Sequence, residues 1–445
     1  MKIFLRYANT YINKVGGLAM GVSRREVLKS AGVVASLLVF HKGVSFAYSD
    51  RHENPVFALR GDGWVVVIDP SKDEVIARIS TEGKGGTLGS ITPKGDLLFV
   101  ANNAAGQRTV SVIDTKKLSL LQNIETGNRP KHPVVSPKGD LVAVNHSGVD
   151  EGKLRIAFIS AKELKVVRSV EIPVSNLEHK GDFSMHGTWS PDGHLYAVGN
   201  YADNVFYLIS PENAQVVSSV KVDGNPHYFD FRGKELWVTV EFGEPKQAGS
   251  KPMVYIFDIS NPSKPVEKAV IKMEPSESEA SELTRVEGHH GVLTNDGQYF
   301  IVCNRGASPF EGTTVEVYAS RDKKMVKRIS SSVKGVGHAY ITPDNRFAVI
   351  TQYGDSKLEV ISLANFERVA VIDTGVGRHM GHVVFSRDGK KMYASNRVAD
   401  SVFVVDTTRW EVIKRIQTGE SGQAQGQVVK DYYAVFERVA KAHLM

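Results

Sequence analysis

The stretch GHHGVLTNDG, residues 288–297, returns in altered form four times: GHAYITPDN (337–345), GHVVFSRDG (381–389), MHGTWSPDG (185–193) and KHPVVSPKG (131–139). Each copy runs from a histidine through a few alternating apolar residues into a Ser or Thr that opens a Pro/Asp/Gly turn. Apolar alternation with a period of two, punctuated by Asp-Gly turns, predicts short antiparallel strands. The copies begin near 87, 131, 185, 226, 289, 337 and 381, and each is followed by three more strand-like runs, the second often ending in Asn, the third in the style of VFVVD, the fourth in the style of EVIKRIQTG. A repeat of four strands is the unit of a propeller blade.

Seven such units leave two remainders. VFALRGDGWVVVIDPSKDEVIARIS (56–80) holds three strands without an inner one, and AQGQVVKDYYAVF (424–436) holds strand material without partners. Joined, they complete an eighth blade and close the ring, which removes the exposed strand edges that invite aggregation. The expected fold is therefore all-β, an eight-bladed β-propeller of four-stranded antiparallel blades occupying 48–445. A seven-bladed ring with the terminal pieces arranged differently is the alternative. Three long polar connections, 175–185, 241–253 and 274–288, interrupt the regular spacing, as functional loops on a scaffold do.

The first 47 residues read differently. SRREVLKSAGVVASLLVF carries the pair Arg24–Arg25 ahead of a short apolar run, and SFA (45–47) follows as a small-residue cleavage site. This resembles a twin-arginine export signal, with Met20 as a start and the periplasm as destination. The apolar run is short for a membrane span; an uncleaved anchor is the alternative reading. The leader holds seven Lys/Arg against one acid, so of the chain's 55 basic and 49 acidic residues 48 of each remain beyond it. The net charge of +6 thus belongs to the leader, and nothing in the rest favours nucleic acid. The single Cys303 excludes an internal disulfide and a cysteine-based metal site.

The SPDG-type turns, with strands ending FVANN and YASN, resemble YVTN-type bacterial propellers. The blade style and count are also similar to the d1-haem domain of cytochrome cd1 nitrite reductase. Both resemblances imply fold more than function, because propellers host many chemistries.

Counting back four from Ser136, Ser190, Phe231, Thr294, Thr342 and Ser386 gives His132, His186, His227, His290, His338 and His382. Six of the 14 histidines thus share one register in six consecutive blades. The first blade has Leu88 there, and the composite blade offers Gln423, Gln425 and Gln427. Equivalent positions on innermost strands lie at equal height around a propeller's axis, so these histidines form a partial ring at one mouth. Neutral imidazole is a ligand for copper and zinc, and a ring of imidazoles has depressed pKa values because its cations repel. The ring resembles the copper-cluster propeller of nitrous oxide reductase and the histidine-ring propellers that carry zinc or copper in the periplasm. No second copper domain accompanies it, which argues against nitrous oxide reduction itself.

Copper is the expected metal, with zinc or a d1-type haem as alternatives. His289 and His379 are expected behind the ligands, His289 because neighbours on a strand face opposite ways. Lys131, Arg378 and Arg285 are candidates for attracting an anionic substrate; Glu287, Glu178 and Asp182 for acid–base work or as additional ligands. His146, His179 and His194 share no register and are expected at structural or surface positions. Trp189, Tyr228 and Tyr340 stand close to ring histidines and keep an aromatic, haem-holding mouth open. No P-loop, nucleophile elbow or dinucleotide fingerprint occurs. The expectation is an exported metalloprotein, an oxidoreductase on a small anionic substrate, against three alternatives: a metal carrier with a metal-transfer or redox partner protein, a d1-haem protein, and a cofactor-free interaction propeller.

Overall fold

The computed structural model describes residues 55–241, 253–273, 288–305, 312–332, 334–419 and 425–429. The leader, Arg285, Glu287, Gln423 and most of the two connections at 241–253 and 274–288 lie outside them. The described residues form 32 strands in eight four-stranded antiparallel sheets, with no helix. The chain is an eight-bladed β-propeller.

Seven blades are laid down in chain order, with inner strands Gly89–Ile91, Pro130–Val135, Gly187–Trp189, Asn225–Arg232, Gly288–Leu293, Val336–Ile341 and Met380–Phe385. We number these blades 1 to 7. Blade 8 is composite: Gln425–Val429 is its inner strand and pairs antiparallel with Val56–Arg60, which continues to Trp64–Asp69 and Glu74–Ser80. Pairing of the two ends closes the ring, as the sequence predicts.

Burial follows position in the blade. Third strands such as Ser401–Asp406 are buried on both faces, because each blade is sandwiched between two others. Fourth strands such as Glu411–Gln417 alternate, because one side meets solvent. Apolar side chains interlock between blades: Val134, Phe158 and Ile172 of blade 2 pack with Trp189, Tyr196 and Ile209 of blade 3. At the closure Val56, Ala58 and Ile68 pack with Tyr393, Val402 and Val404 of blade 7. There the fully buried Arg60 guanidinium bonds Asp400, also fully buried, and reaches Asp62 at 2.7 Å.

The repeated Ser/Thr earns its place in the turn. In blade 7 Ser386 Oγ donates to Asp388 Oδ1 (2.7 Å) and accepts from the amide of Lys391 (2.8 Å). Thr342 and Thr294 make the corresponding bonds, to Asp344 and Asp296. The fourth turn position is left-handed, with φ of +71° at Gly389 and +67° at Gly297, hence the recurrent glycine.

Candidate metal centre

In five of the six histidine blades the inner strand carries a β-bulge at the histidine; in blade 3 His186 directly precedes the strand Gly187–Trp189, which pairs without a register shift. The register of the inner strand shifts between Pro130 and His132, Pro226 and Tyr228, Gly288 and Gly291, Val336 and Ala339, and Met380 and Val383. A bulge sets two residues against one and re-aims their side chains. The displaced amides are satisfied by hydroxyls: His338 N–H donates to Thr351 Oγ1 and His382 N–H to Ser395 Oγ, each at 3.0 Å. At Gly337 the residue before the histidine has no room for a side chain, since a Cβ would lie 2.8 Å from the Tyr353 ring. In blade 5 the equivalent residue is His289.

The bulges gather the rings into one arc. Ring centroids are 5.3 Å apart for His132–His186, 4.9 Å for His186–His227, 5.0 Å for His227–His290, 4.0 Å for His290–His338 and 4.9 Å for His338–His382. His186 also lies 4.9 Å from His290, across the arc. His289 joins them, 4.6 Å from both His227 and His290 and stacked on His338 at 5.0 Å. Strand alternation, which puts His289 on the far face, fails because the bulge turns both neighbours inward. The arc borders a cavity of about 210 Å³, lined by His132, His186, His290, His338 and His382 with Tyr228 and Tyr340, and by apolar residues such as Leu88 and Phe385.

A second tier holds the rings. Glu241, buried at the end of the second strand of blade 4, accepts from His289 Nδ1 at 2.7 Å and faces His227 Nδ1 at 3.2 Å. The Tyr201 hydroxyl bonds the same His227 nitrogen. Tyr353 Oη lies 2.9 Å from His338 Nε2 and 3.4 Å from His289 Nε2. Tyr340 Oη bridges His338 Nδ1 (3.0 Å) and His382 Nδ1 (2.8 Å). Arg305 Nη1 donates to His289 Nε2 and Arg397 Nη2 to His382 Nε2, both at 3.3 Å. His132 and His186 face each other through their Nδ1 atoms at 3.3 Å.

Burial is the largest cause of depressed basicity for all seven rings. Neighbouring positive charge adds to it: Arg305 at His289 and His290, Arg397 at His382, and Lys131 at His132, which is pushed down to about 4. The arc is therefore neutral at physiological pH and presents lone pairs.

Three groups of side chains place one donor atom each within 4.8 Å of one another: His186, His227 and His290; His289, His290 and His338; His227, Glu241 and His289. In the second group the Tyr353 hydroxyl already bonds two of the nitrogens, and in the third Glu241 is itself the hydrogen-bond partner. The first differs. His227 Nε2 is buried without a partner, as is Nε2 of the adjoining His132, and the half-buried His290 ring makes no side-chain hydrogen bond among the described residues. Buried polar atoms without partners are rare and ask for an explanation.

The remaining sequence candidates fall elsewhere. Lys131 is ion-paired with Asp182 at 2.8 Å, and Arg129 takes the other carboxylate oxygen at 2.9 Å, so both Lys131 and Asp182 are engaged. Arg378 is exposed, and the arginines that touch imidazoles are Arg305 and Arg397. His379 sits at the rim with φ +72°, its ring 4.4 Å from Tyr353 and its Nε2 3.4 Å from Arg397. His146 is a buried structural residue, bonded to Arg155 O and Thr126 Oγ1. His179 bonds Asp182 O, while His194 and Glu178 are exposed. Trp189 is a core residue whose indole donates to Val134 O, whereas Tyr228 stacks against His290 at 4.3 Å.

Sequence reasoning missed the second tier, although a signal exists. Tyr201, Arg305, Tyr353 and Arg397 each follow the last residue of a second strand, Asn200, Asn304, Gln352 and Asn396. Glu241 occupies the position of those amides in blade 4, pairing with Asn225 as Gln352 pairs with Val336.

The eight-bladed ring, with its arc of histidines from six blades, is a β-propeller of the bacterial type. The chain belongs to the family described as "Lactonase, 7-bladed beta-propeller", whose model matches residues 188–424, spanning blades 3 to 7 here. No curated protein matches the sequence. Among solved structures, the dihydro-haem d1 dehydrogenase NirN, in complex with DHE, is similar over 90% of this chain and 79% of its own, with 16% identity and a TM-score of 0.65. Apo AztD from Citrobacter koseri is similar over 85% of this chain and 98% of its own (15% identity, TM-score 0.54). The periplasmic gluconolactonase PpgL of Pseudomonas aeruginosa is similar over 71% and 96% (15% identity, TM-score 0.52). At such identities the likeness is one of fold.

Proposed function

We propose that this chain is an exported metal-binding propeller that holds a transition-metal ion, copper or alternatively zinc, on His186, His227 and His290, with His132 completing the set. The observation that carries this reading is the convergence of one nitrogen each from His186, His227 and His290 to within 4.8 Å of one another, beside the buried Nε2 atoms of His227 and His132 that have no partner. Imidazole suits copper and zinc alike. Bonds of about 2.0–2.1 Å to a tetrahedral ion set its ligand atoms roughly 3.3 Å apart, and the ligand atoms of His186, His227 and His290 already lie within 4.8 Å of one another. Bound there, copper would supply one-electron chemistry and zinc Lewis acidity. Arg305 and Arg397 add positive charge beside the arc, which favours a small anionic substrate and an oxidoreductase role. A carrier handing metal to a partner protein needs the same ligands.

A haem reading draws support from NirN, whose described complex contains DHE. The cavity weighs against it: about 210 Å³ is below the roughly 300–1,000 Å³ of pockets for drug-sized ligands. Export to the periplasm fits the leader and the periplasmic PpgL; no described helix is long and apolar enough to cross a membrane.

Elemental analysis and an absorption spectrum of the protein purified from its native host test the proposal. Copper or zinc bound by the wild type and lost from His186→Ala and His290→Ala supports it. Iron with a porphyrin spectrum transfers the site to haem, and metal retained by both variants overturns the ligand set.

A further inference from the structure

The second tier does more than pack against the rings, because its contacts can carry protons in only one order. Arg397 Nη2 lies 3.3 Å from His382 Nε2. A guanidinium only donates, so His382 Nε2 is bare and its proton is on Nδ1, donated to Tyr340 Oη at 2.8 Å. Tyr340 has one proton to give, and it goes to His338 Nδ1 at 3.0 Å. His338 then carries its own proton on Nε2 and donates it to Tyr353 Oη at 2.9 Å. Tyr353 donates to His289 Nε2 at 3.4 Å, where Arg305 Nη1 also donates at 3.3 Å. His289 Nδ1–H ends the chain on Glu241 Oε1 at 2.7 Å. A group that can only donate stands at one end and a carboxylate that accepts stands at the other. No other placement of these protons keeps every contact a donor facing an acceptor.

We propose that Arg397, Tyr340 and Tyr353 are positioning residues that fix the tautomers of His382, His338 and His289, and that the cluster is thereby divided into three linked histidines and four ligating ones. Both ring nitrogens of each linked histidine are committed to the chain. His132 and His227 each keep a buried Nε2 without a partner, His186 Nε2 makes no hydrogen bond, and His290 makes none at all among the described residues. Glu241 joins the two sets, with one carboxylate oxygen on His289 and the other facing His227. The tautomers follow from the hydrogen bonds alone; the division into ligands and links rests on the metal reading above.

The test of the tautomers needs no metal. Long-range proton–nitrogen correlation spectra of ¹⁵N-histidine-labelled, metal-free, full-length protein report which ring nitrogen bears the proton. The expected wild-type pattern is Nδ1–H at His382 and His289 and Nε2–H at His338. Arg397→Met alone leaves the pattern in place, because Glu241 and Arg305 hold His289 and so still direct Tyr353 and His338 from the other end. With Tyr353→Phe added to Arg397→Met both anchors are gone, so His382 and His338 each populate both tautomers while His289 keeps its own. Arg397 restored in that background returns His382 and His338 to the wild-type pattern. A wild-type pattern other than this one, or a double variant in which His382 and His338 keep single tautomers, overturns the chain.

The division is tested with zinc chloride and a competing chelator. Affinity falls at least about 10-fold further in His290→Ala than in Tyr340→Phe, which touches none of the four proposed ligands and so escapes the ~10–100-fold cost of removing a ligand's outer partner. Equal losses in both variants overturn the division. Absence of both zinc and, in the same competition assay, copper binding in the wild type overturns the metal reading and the division with it, and leaves the tautomers to the spectra.

Discussion

His227 shows what the fold does to one side chain. It is 1% exposed, faces a carboxylate through Nδ1 and keeps Nε2 bare. A carboxylate behind a ligating imidazole fixes its tautomer and raises its donor strength. Glu241→Gln keeps the shape and removes the charge, so metal affinity in that variant falls about 10–100-fold, read by competition titration. Acid has its own effect on the metal-free protein. His132 and His146 titrate near 4 in the fold, burial being the first cause, against about 6.5 unfolded. Between those values the unfolded chain binds more protons, so stability is complete above about pH 6.5 and is lost as pH falls towards 4. The slope is up to about 1.4 kcal/mol per pH unit for each such histidine. Urea denaturation midpoints of the metal-free protein at pH 7.5, 6 and 5 check this; midpoints independent of pH would contradict it. His132 was legible as a cluster member because its register repeats, whereas Glu241 was not, since a carboxylate where other blades carry Asn or Gln shows no meaning until the strands are paired.

A blade's inner strand joins two local devices four residues apart, the bulge that aims the histidine and the hydroxyl–aspartate turn that ends the strand. The turn was readable because its Ser/Thr, Asp and Gly each answer a backbone need. The bulge was not, because an extra residue leaves no mark in an alternating pattern until the partner strand is known, and the inward turn of the His289 ring was missed for that reason. Gly337→Ala tests how tightly the bulge is packed. Its Cβ would lie 2.8 Å from the Tyr353 ring, and overpacking of a buried site costs about 1–3 kcal/mol. The variant should unfold at lower denaturant, and Tyr353→Ala in the same chain should recover part of the loss. Ser386→Ala removes two turn bonds and should cost about 1 kcal/mol, measured the same way.

At the scale of the molecule, eight blades were countable from the repeat and from the leftover strands at each end. The path of ring closure was countable too, because three strands lacked an inner partner and one inner strand lacked a blade. What the repeat could not show is the ion pair that locks the seam. Arg60 and Asp400 are 1% and 0% exposed, and removing one partner of a buried pair costs about 3–5 kcal/mol. Arg60→Met should therefore lower the unfolding midpoint far more than Lys153→Met, whose partner Glu171 is half exposed; equal effects would place the stability of the seam in its apolar contacts.

The seam also sets an order in time. Every histidine of the arc comes from blades 2 to 7, and the strand that shuts the ring, Gln425–Val429, is made after all of them. A ribosome-bound chain can thus possess every histidine of the arc while its propeller is still an open crescent. Completion of the circle waits on five residues that follow every histidine blade in the chain, and until they are in place the arc can be reached from the side as well as along the axis.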